Sequence, residues 1–110
     1  VVLYHNPKCS TSRNALALLQ ERGVEPVVVE YLKAGWDRST LQRLAAEVGG
    51  VRALLRTKED GARALLAADA SDADILDALI AEPILAERPI VETARGARIG
   101  RPVERILEVL

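Results

Sequence analysis

Val1-Val2-Leu3-Tyr4-His5-Asn6-Pro7-Lys8-Cys9-Ser10-Thr11-Ser12-Arg13-Asn14-Ala15-Leu16-Ala17-Leu18-Leu19 is the stretch against which the rest of the chain is read. Val1 to Tyr4 is apolar at every position, as in a strand buried on both faces of a sheet. Pro7 breaks that run. Ser10, Thr11 and Ser12 then offer helix-capping side chains, and Ala15, Leu16, Leu18 and Leu19 supply an apolar stripe. The local order is strand, loop, helix, with the only cysteine, Cys9, at the helix start. A thiol placed there feels the partial positive charge of unpaired N–H groups, which can pull its pKa from about 8.5 to roughly 3.5 to 7.5. A lone cysteine is often just a small buried hydrophobe. Here the neighbours Pro7, Lys8, Ser10, Thr11, Ser12 and Arg13 make a poor core, so the sulfur stays near solvent and reads as reactive.

Gly23 stops the first helix, and Val27 to Leu32, rich in β-branched residues, is expected to form a second strand parallel to the first. Gly35 and Asp37 mark a turn. Ser39 and Gln42 have capping-box spacing ahead of Leu41, Leu44, Ala45 and Val48, a helix ended by Gly49-Gly50. Val51 to Arg56 reads as one or two helical turns, and Thr57 to Ala68 as a helix interrupted by Gly61. Ser71 caps a further helix with Ile75, Leu76, Leu79 and Ile80 on one face, ended by Pro83. Arg88-Pro89-Ile90-Val91 begins a third strand, Ala94-Arg95-Gly96 turns, and Ala97 to Gly100 returns. Pro102 suits the first position of a last helix with Val103, Ile106, Leu107 and Leu110 inward. The order βαβ, helices, ββα is that of a thioredoxin-like α/β fold. It is expected as a single domain over residues 1–110 with a helical insertion at about 37–82.

The 110 residues are 49% hydrophobic, enough for one core. With no Phe or Met, that core must be aliphatic. Fifteen Lys and Arg against sixteen Asp and Glu leave a net charge of −1, which removes the usual electrostatic case for nucleic-acid binding. One cysteine excludes an internal disulfide and fits a reducing compartment. If Cys9 is redox-active, its resolving thiol belongs to another molecule. No apolar run approaches the roughly 18 residues of a membrane span, so a soluble cytoplasmic protein is expected; a monomer is expected as well. One His and one Cys without further ligands make no metal site.

Ser10 to Arg13 supplies N–H groups and hydroxyls that suit an oxyanion, or serve only as caps. Arg13 favours the first reading, because a cation in a first helical turn opposes the helix dipole unless an anion binds there. The sixth residue after Cys9 is Ala15, so the Cys-x5-Arg loop of phosphatases is absent. His5 either stabilises the thiolate when charged or orients the loop. Arg56 closes an apolar segment, Arg88 precedes a proline at a strand start, and Arg101 separates a strand end from a helix start. In a thioredoxin-like fold the proline before the third strand is usually cis and lies beside the redox cysteine, which would bring Arg88 near Cys9. Converging guanidiniums, always charged and fork-shaped, are what a tetrahedral oxyanion needs.

Four blocks, YHNPKCSTSR (4–13), VRALLRTKE (51–59), PILAERPIV (83–91) and IGRPVERILEVL (99–110), resemble the glutaredoxin-coupled arsenate reductase family over essentially the whole chain. Residues 61–70 depart from it, being Ala-rich where the family is bulkier. The resemblance implies Cys9 as nucleophile and Arg56, Arg88 and Arg101 as the arginines that bind the oxyanion and stabilise the thiolate. It implies His5 as an electrostatic helper and Ser12 as a hydroxyl near the sulfur. It implies no bound cofactor, arsenate as substrate, glutathione as co-substrate and glutaredoxin as protein partner. Two rivals remain. Spx-type regulators that bind RNA polymerase share the fold and often carry Cys-x-x-Cys, where this chain has Ser12. A glutathione-dependent thiol reductase of another substrate would use the same thiol.

Overall fold

The computed structural model describes residues Val1–Leu110, which cluster into two compact units, residues 1–34 with 88–110, and residues 35–87. The first unit holds a four-stranded sheet in the order β2-β1-β3-β4. Its strands are β1 (Val2–His5), β2 (Val27–Glu30), β3 (Ile90–Thr93) and β4 (Gly96–Ile99). β1 runs parallel to β2 and antiparallel to β3, and β3 is antiparallel to β4, the expected thioredoxin-like arrangement. Helix α1 (Ser10–Glu21) makes the crossover between the parallel strands. It ends at Gly23, whose φ of 75° lets the Val24 N–H turn back to the Leu19 carbonyl at 2.9 Å.

Alternation along the strands decides what the sheet buries. Leu3 on β1 faces Val91 on β3, and both join Ala15 and Leu19 of α1 with Ile106 and Val109 in one fully buried cluster. Each large aliphatic side chain buried there contributes about 1.5–3 kcal/mol. The last helix differs from expectation. Val103–Val109 is a 3-10 helix, not an α-helix, and its inward residues Ile106 and Val109 follow the three-residue period of that form. Leu107 and Leu110 are only half-buried. Pro102 is the N-cap rather than the first helical residue.

β2 is an edge strand with Val27 and Val28 exposed, and it ends at Glu30, short of the expected Leu32. Tyr31–Ala34 forms a short helix, α2, instead. Tyr31 is wholly buried, and the turn at Gly35, φ 76°, follows directly.

The second unit contains α3 (Arg38–Val48), α4 (Asp60–Ala67) and α5 (Asp72–Ala81), with 3-10 turns at Val51–Leu54 and Pro83–Leu85. Asp37, not Ser39, caps α3: its carboxylate accepts the Thr40 N–H at 2.7 Å, so the helix starts two residues earlier than the capping-box spacing suggested. Ser71 caps α5 as expected, accepting from the Asp74 N–H at 3.1 Å. Ile75, Leu76 and Leu79 are buried, whereas Ile80 is exposed. Gly61 lies in the first turn of α4, where a Cβ would stand 3.1 Å from Leu85 Cδ2. Close packing therefore accounts for the glycine that interrupts the helical pattern. Arg38 is ion-paired with Asp77, and Arg52 with Asp69 at 2.6 Å. No helix is long and apolar enough to cross a membrane.

Candidate active site

Cys9 is the N-cap residue of α1, in extended backbone at φ −93°, with no side-chain capping bond of its own. That geometry sets the sulfur over the first turn. Partial burial pushes the thiol pKa up. The Ser12 N–H, the Arg88 side chain, the Thr11 N–H and the charge of Arg101 outweigh that effect and hold it below its ordinary value. Because the fold favours the charged form of this acid, its contribution to stability is complete above the ordinary thiol pKa. It is lost as pH falls through the lowered one.

The hairpin of β3 and β4 brings two arginines to this thiol. Ile90 pairs with Ile99, and Arg88 and Arg101 each lie two residues outside that rung, on the two chains leaving it. Arg101 Nη2 stands 3.6 Å from Cys9 Sγ while its Nε donates to the Arg88 carbonyl at 2.8 Å. Arg88 is buried. The Arg88–Pro89 bond is cis, as expected, and so is Arg101–Pro102. Gly100 lies between them, its N–H donating to the Pro89 carbonyl at 2.8 Å. A Cβ on Gly100 would come within 2.8 Å of Pro89 Cγ and 3.1 Å of Ile106 Cγ2. Gly100→Ala must therefore push the proline ring or the last helix away and is expected to cost about 1–3 kcal/mol in denaturant unfolding. An unfolding midpoint equal to that of the parent protein would show that the two segments yield freely.

Ser12 is fully buried. Its hydroxyl accepts the Asn6 N–H at 3.1 Å and pairs with His5 Nδ1 at 2.6 Å, while its backbone N–H approaches the sulfur. His5 is buried too. Burial lowers its pKa below the ordinary 6.5, with Glu30 opposing the shift and Arg13 reinforcing it. The bond to Ser12 orients the ring in the loop. Ser12→Ala leaves the Asn6 N–H and the imidazole without that oxygen. The expected loss is about 1–3 kcal/mol of stability with little movement of the pH profile of Cys9 alkylation. A large shift of that profile would mean that the hydroxyl itself serves the sulfur.

Arg13 is exposed, and its Nη1 donates to the Pro7 carbonyl at 2.9 Å, so it fastens the loop ahead of the thiol. Asn6 fastens it from within. Its carbonyl accepts the Cys9 N–H at 3.0 Å and its Oδ1 accepts the Lys8 N–H at 3.0 Å. Sequence reasoning passed over Asn6, although an Asn two residues ahead of an amide is the signature of such a turn. Arg56 lies in the other unit. A two-stranded clamp, the Arg56 N–H to Leu85 carbonyl bond at 2.8 Å and the Glu87 N–H to Leu54 carbonyl bond at 2.6 Å, sets Arg56 beside Glu87. Their side chains, both largely buried, form an ion pair at 3.1 Å. Glu87 had no sequence signal as a partner, since 31 residues separate it from Arg56. No group of three or more His, Cys, Asp or Glu is placed to hold a metal ion.

The site is thus a thiol of lowered pKa at a helix N-terminus, faced by two guanidiniums and a pair of backbone N–H groups. Such a site can hold a tetrahedral oxyanion and attack it. Comparison with known proteins agrees with this chemistry. An arsenate reductase of Synechocystis, ArsI2, is 46% identical over 113 residues, covering all of this chain and 81% of its own. A protein of Escherichia coli called YfgD, named as uncharacterized, is also 46% identical and is covered over 96% of its length. The structure of an arsenate reductase from Vibrio cholerae superposes with a TM-score of 0.91 at 44% identity, over 99% of this chain and 96% of that one. With residues 4–109 matching the profile of the ArsC family, this chain belongs to that family.

Proposed function

We propose that the protein reduces arsenate to arsenite, with Cys9 as nucleophile and glutathione and glutaredoxin supplying the electrons. The observation that carries the reading is the meeting of Arg88 and Arg101 at a thiol already shifted toward its anion. A thiolate approaching an arsenate dianion meets two negative charges. Guanidiniums that neutralise the equatorial oxygens lower that barrier, and oxyanion-binding donors of this kind are worth about 10²–10³ in rate each. Arg56 is proposed as a third member of the set on the family pattern, with Glu87 holding its side chain in order before the anion arrives.

The Cys9 sulfur forms a bond to arsenic as a hydroxide leaves, taking a proton to depart as water. Glutathione then displaces a second hydroxyl as water. A glutaredoxin thiolate next attacks the glutathione sulfur, the electron pair of the As–S bond stays on arsenic, and As(V) becomes As(III). The two external sulfurs leave as a mixed disulfide, and hydrolysis of the remaining thiol–arsenic bond frees arsenite and Cys9. The presence of one cysteine supports this division of labour, because no internal thiol can resolve the adduct. The match to the family runs through both compact units, which supports treating the chain as one functional domain.

The test is arsenite production from arsenate with glutathione and glutaredoxin each omitted in turn. Turnover that needs both is expected. Turnover with glutathione alone would remove glutaredoxin from the scheme. No turnover, alongside reduction of another substrate by the same thiols, would point to the general thiol reductase.

A further inference from the structure

We propose that a cavity beside the nucleophile loop is the docking site for the external thiol, and that its charges select a small peptide thiol with a carboxylate at each end and one ammonium. Glutathione has that pattern. This inference rests on the reading of the protein as a glutathione-dependent reductase. The cavity, of about 170 Å³, is lined by Asn6, Pro7 and Lys8 from the loop and by Glu30, Leu32 and Lys33 from the end of β2 and from α2. Its position follows from the sheet register. His5 pairs with Glu30, so the loop that leaves β1 toward Cys9 and the helix that follows β2 start side by side.

The charges complement the proposed occupant. Lys8 and Lys33 offer two ammoniums and Glu30 one carboxylate, the mirror image of a tripeptide carrying two carboxylates and an α-ammonium. The ion pair between Lys33 and Glu30 is open, at 3.7 Å, and the Lys33 side chain is 81% exposed. A pair so loose and wet holds little energy, so both groups can turn to a ligand at small cost. Pro7 and Leu32, the latter 40% exposed, give an aliphatic floor suited to the methylenes of a γ-glutamyl arm. The cavity has room for one arm and not the whole peptide. Reach is adequate, because Lys8 directly precedes Cys9 and three extended residues span roughly 10 Å. A thiol peptide anchored by one arm thus brings its sulfur to the Cys9 adduct.

Two experiments test the site. In the first, the Cys9→Ser protein, labelled with ¹⁵N, is titrated with S-methylglutathione, which cannot react. Chemical-shift changes are expected at Asn6, Lys8 and residues 30–33, and their absence, or a cluster elsewhere, would overturn the site. In the second, the K33E and K8E proteins are assayed with glutathione and with neutral 2-mercaptoethanol as attacking thiols. The expected result is a rise of about five- to tenfold in KM for glutathione with the mercaptoethanol rate little changed; equal losses with both thiols would remove the charge argument. Shifts at the cavity in a protein that turns over no arsenate would keep this site and sink the arsenate reading. Glutathione-dependent arsenate turnover with shifts elsewhere would do the reverse.

Discussion

Cys9→Ser is expected to lower arsenite production by on the order of 10⁴-fold or more while leaving the fold in place. Serine matches cysteine closely in size, and the sulfur is only half-buried with no capping bond to lose. The change therefore removes chemistry and little packing. A thiol held below its ordinary pKa is more readily ionised, whereas a serine hydroxyl at the same helix start stays protonated. The check is arsenite formation with both external thiols present, beside a thermal melt of each protein. Measurable turnover in a folded Cys9→Ser protein would move the nucleophile elsewhere.

Arg88→Ala has the next largest expected effect, about 10²-fold in kcat/KM for arsenate, because it removes a buried cation that bonds to the thiolate and that is proposed to bind the incoming oxyanion. The same change moves the titration of Cys9 in a definite direction. Arg88 favours the charged thiolate, so its loss raises the thiol pKa, and the rise of iodoacetamide reactivity with pH shifts to higher pH. At pH 7 the variant should alkylate more slowly, and at high pH the two proteins should converge. Arg101→Ala should shift the profile the same way and less, since its charge ranks behind the Arg88 bond. A profile unmoved by Arg88→Ala would mean that the helix N–H groups alone hold the thiolate.

The parts of this molecule legible in its sequence are those set by neighbours along the chain. The apolar run to Tyr4, the break at Pro7, the stripe on α1 and the stop at Gly23 each depend on a few adjacent residues, and they emerged as expected. The same holds for the cap at Ser71 and for the hairpin, although its turn is the two residues Ala94-Arg95 and Gly96, expected in the turn, already pairs with Thr93 as the first residue of β4. The departures have tertiary causes. Burial of Tyr31 accompanies the helical turn that follows β2, against the β-branched run that promised a longer strand. The short last helix has the 3-10 form, in which Ile106 and Val109, three residues apart, both reach the core. The destination of the Ser12 hydroxyl depends on how the loop folds back on Asn6 and His5. No local pattern encodes that return. Glu87 beside Arg56 was illegible for the same reason.

The symmetric placement of Arg88 and Arg101 about the Ile90–Ile99 rung makes the hairpin a ruler for the site. The spacing between the two cations is counted out in paired residues, so it is insensitive to which side chains the strands carry but sensitive to their number. One residue inserted into the Ala94-Arg95 turn and passed on as a register slip would advance one arginine by about 3.3 Å relative to the other and turn it to the opposite face of the sheet. Substitutions at the half-buried positions Glu92 and Arg98 that keep the pairing are therefore expected to leave the spacing of the two arginines unchanged, whereas an insertion or deletion that shifts the register should break it.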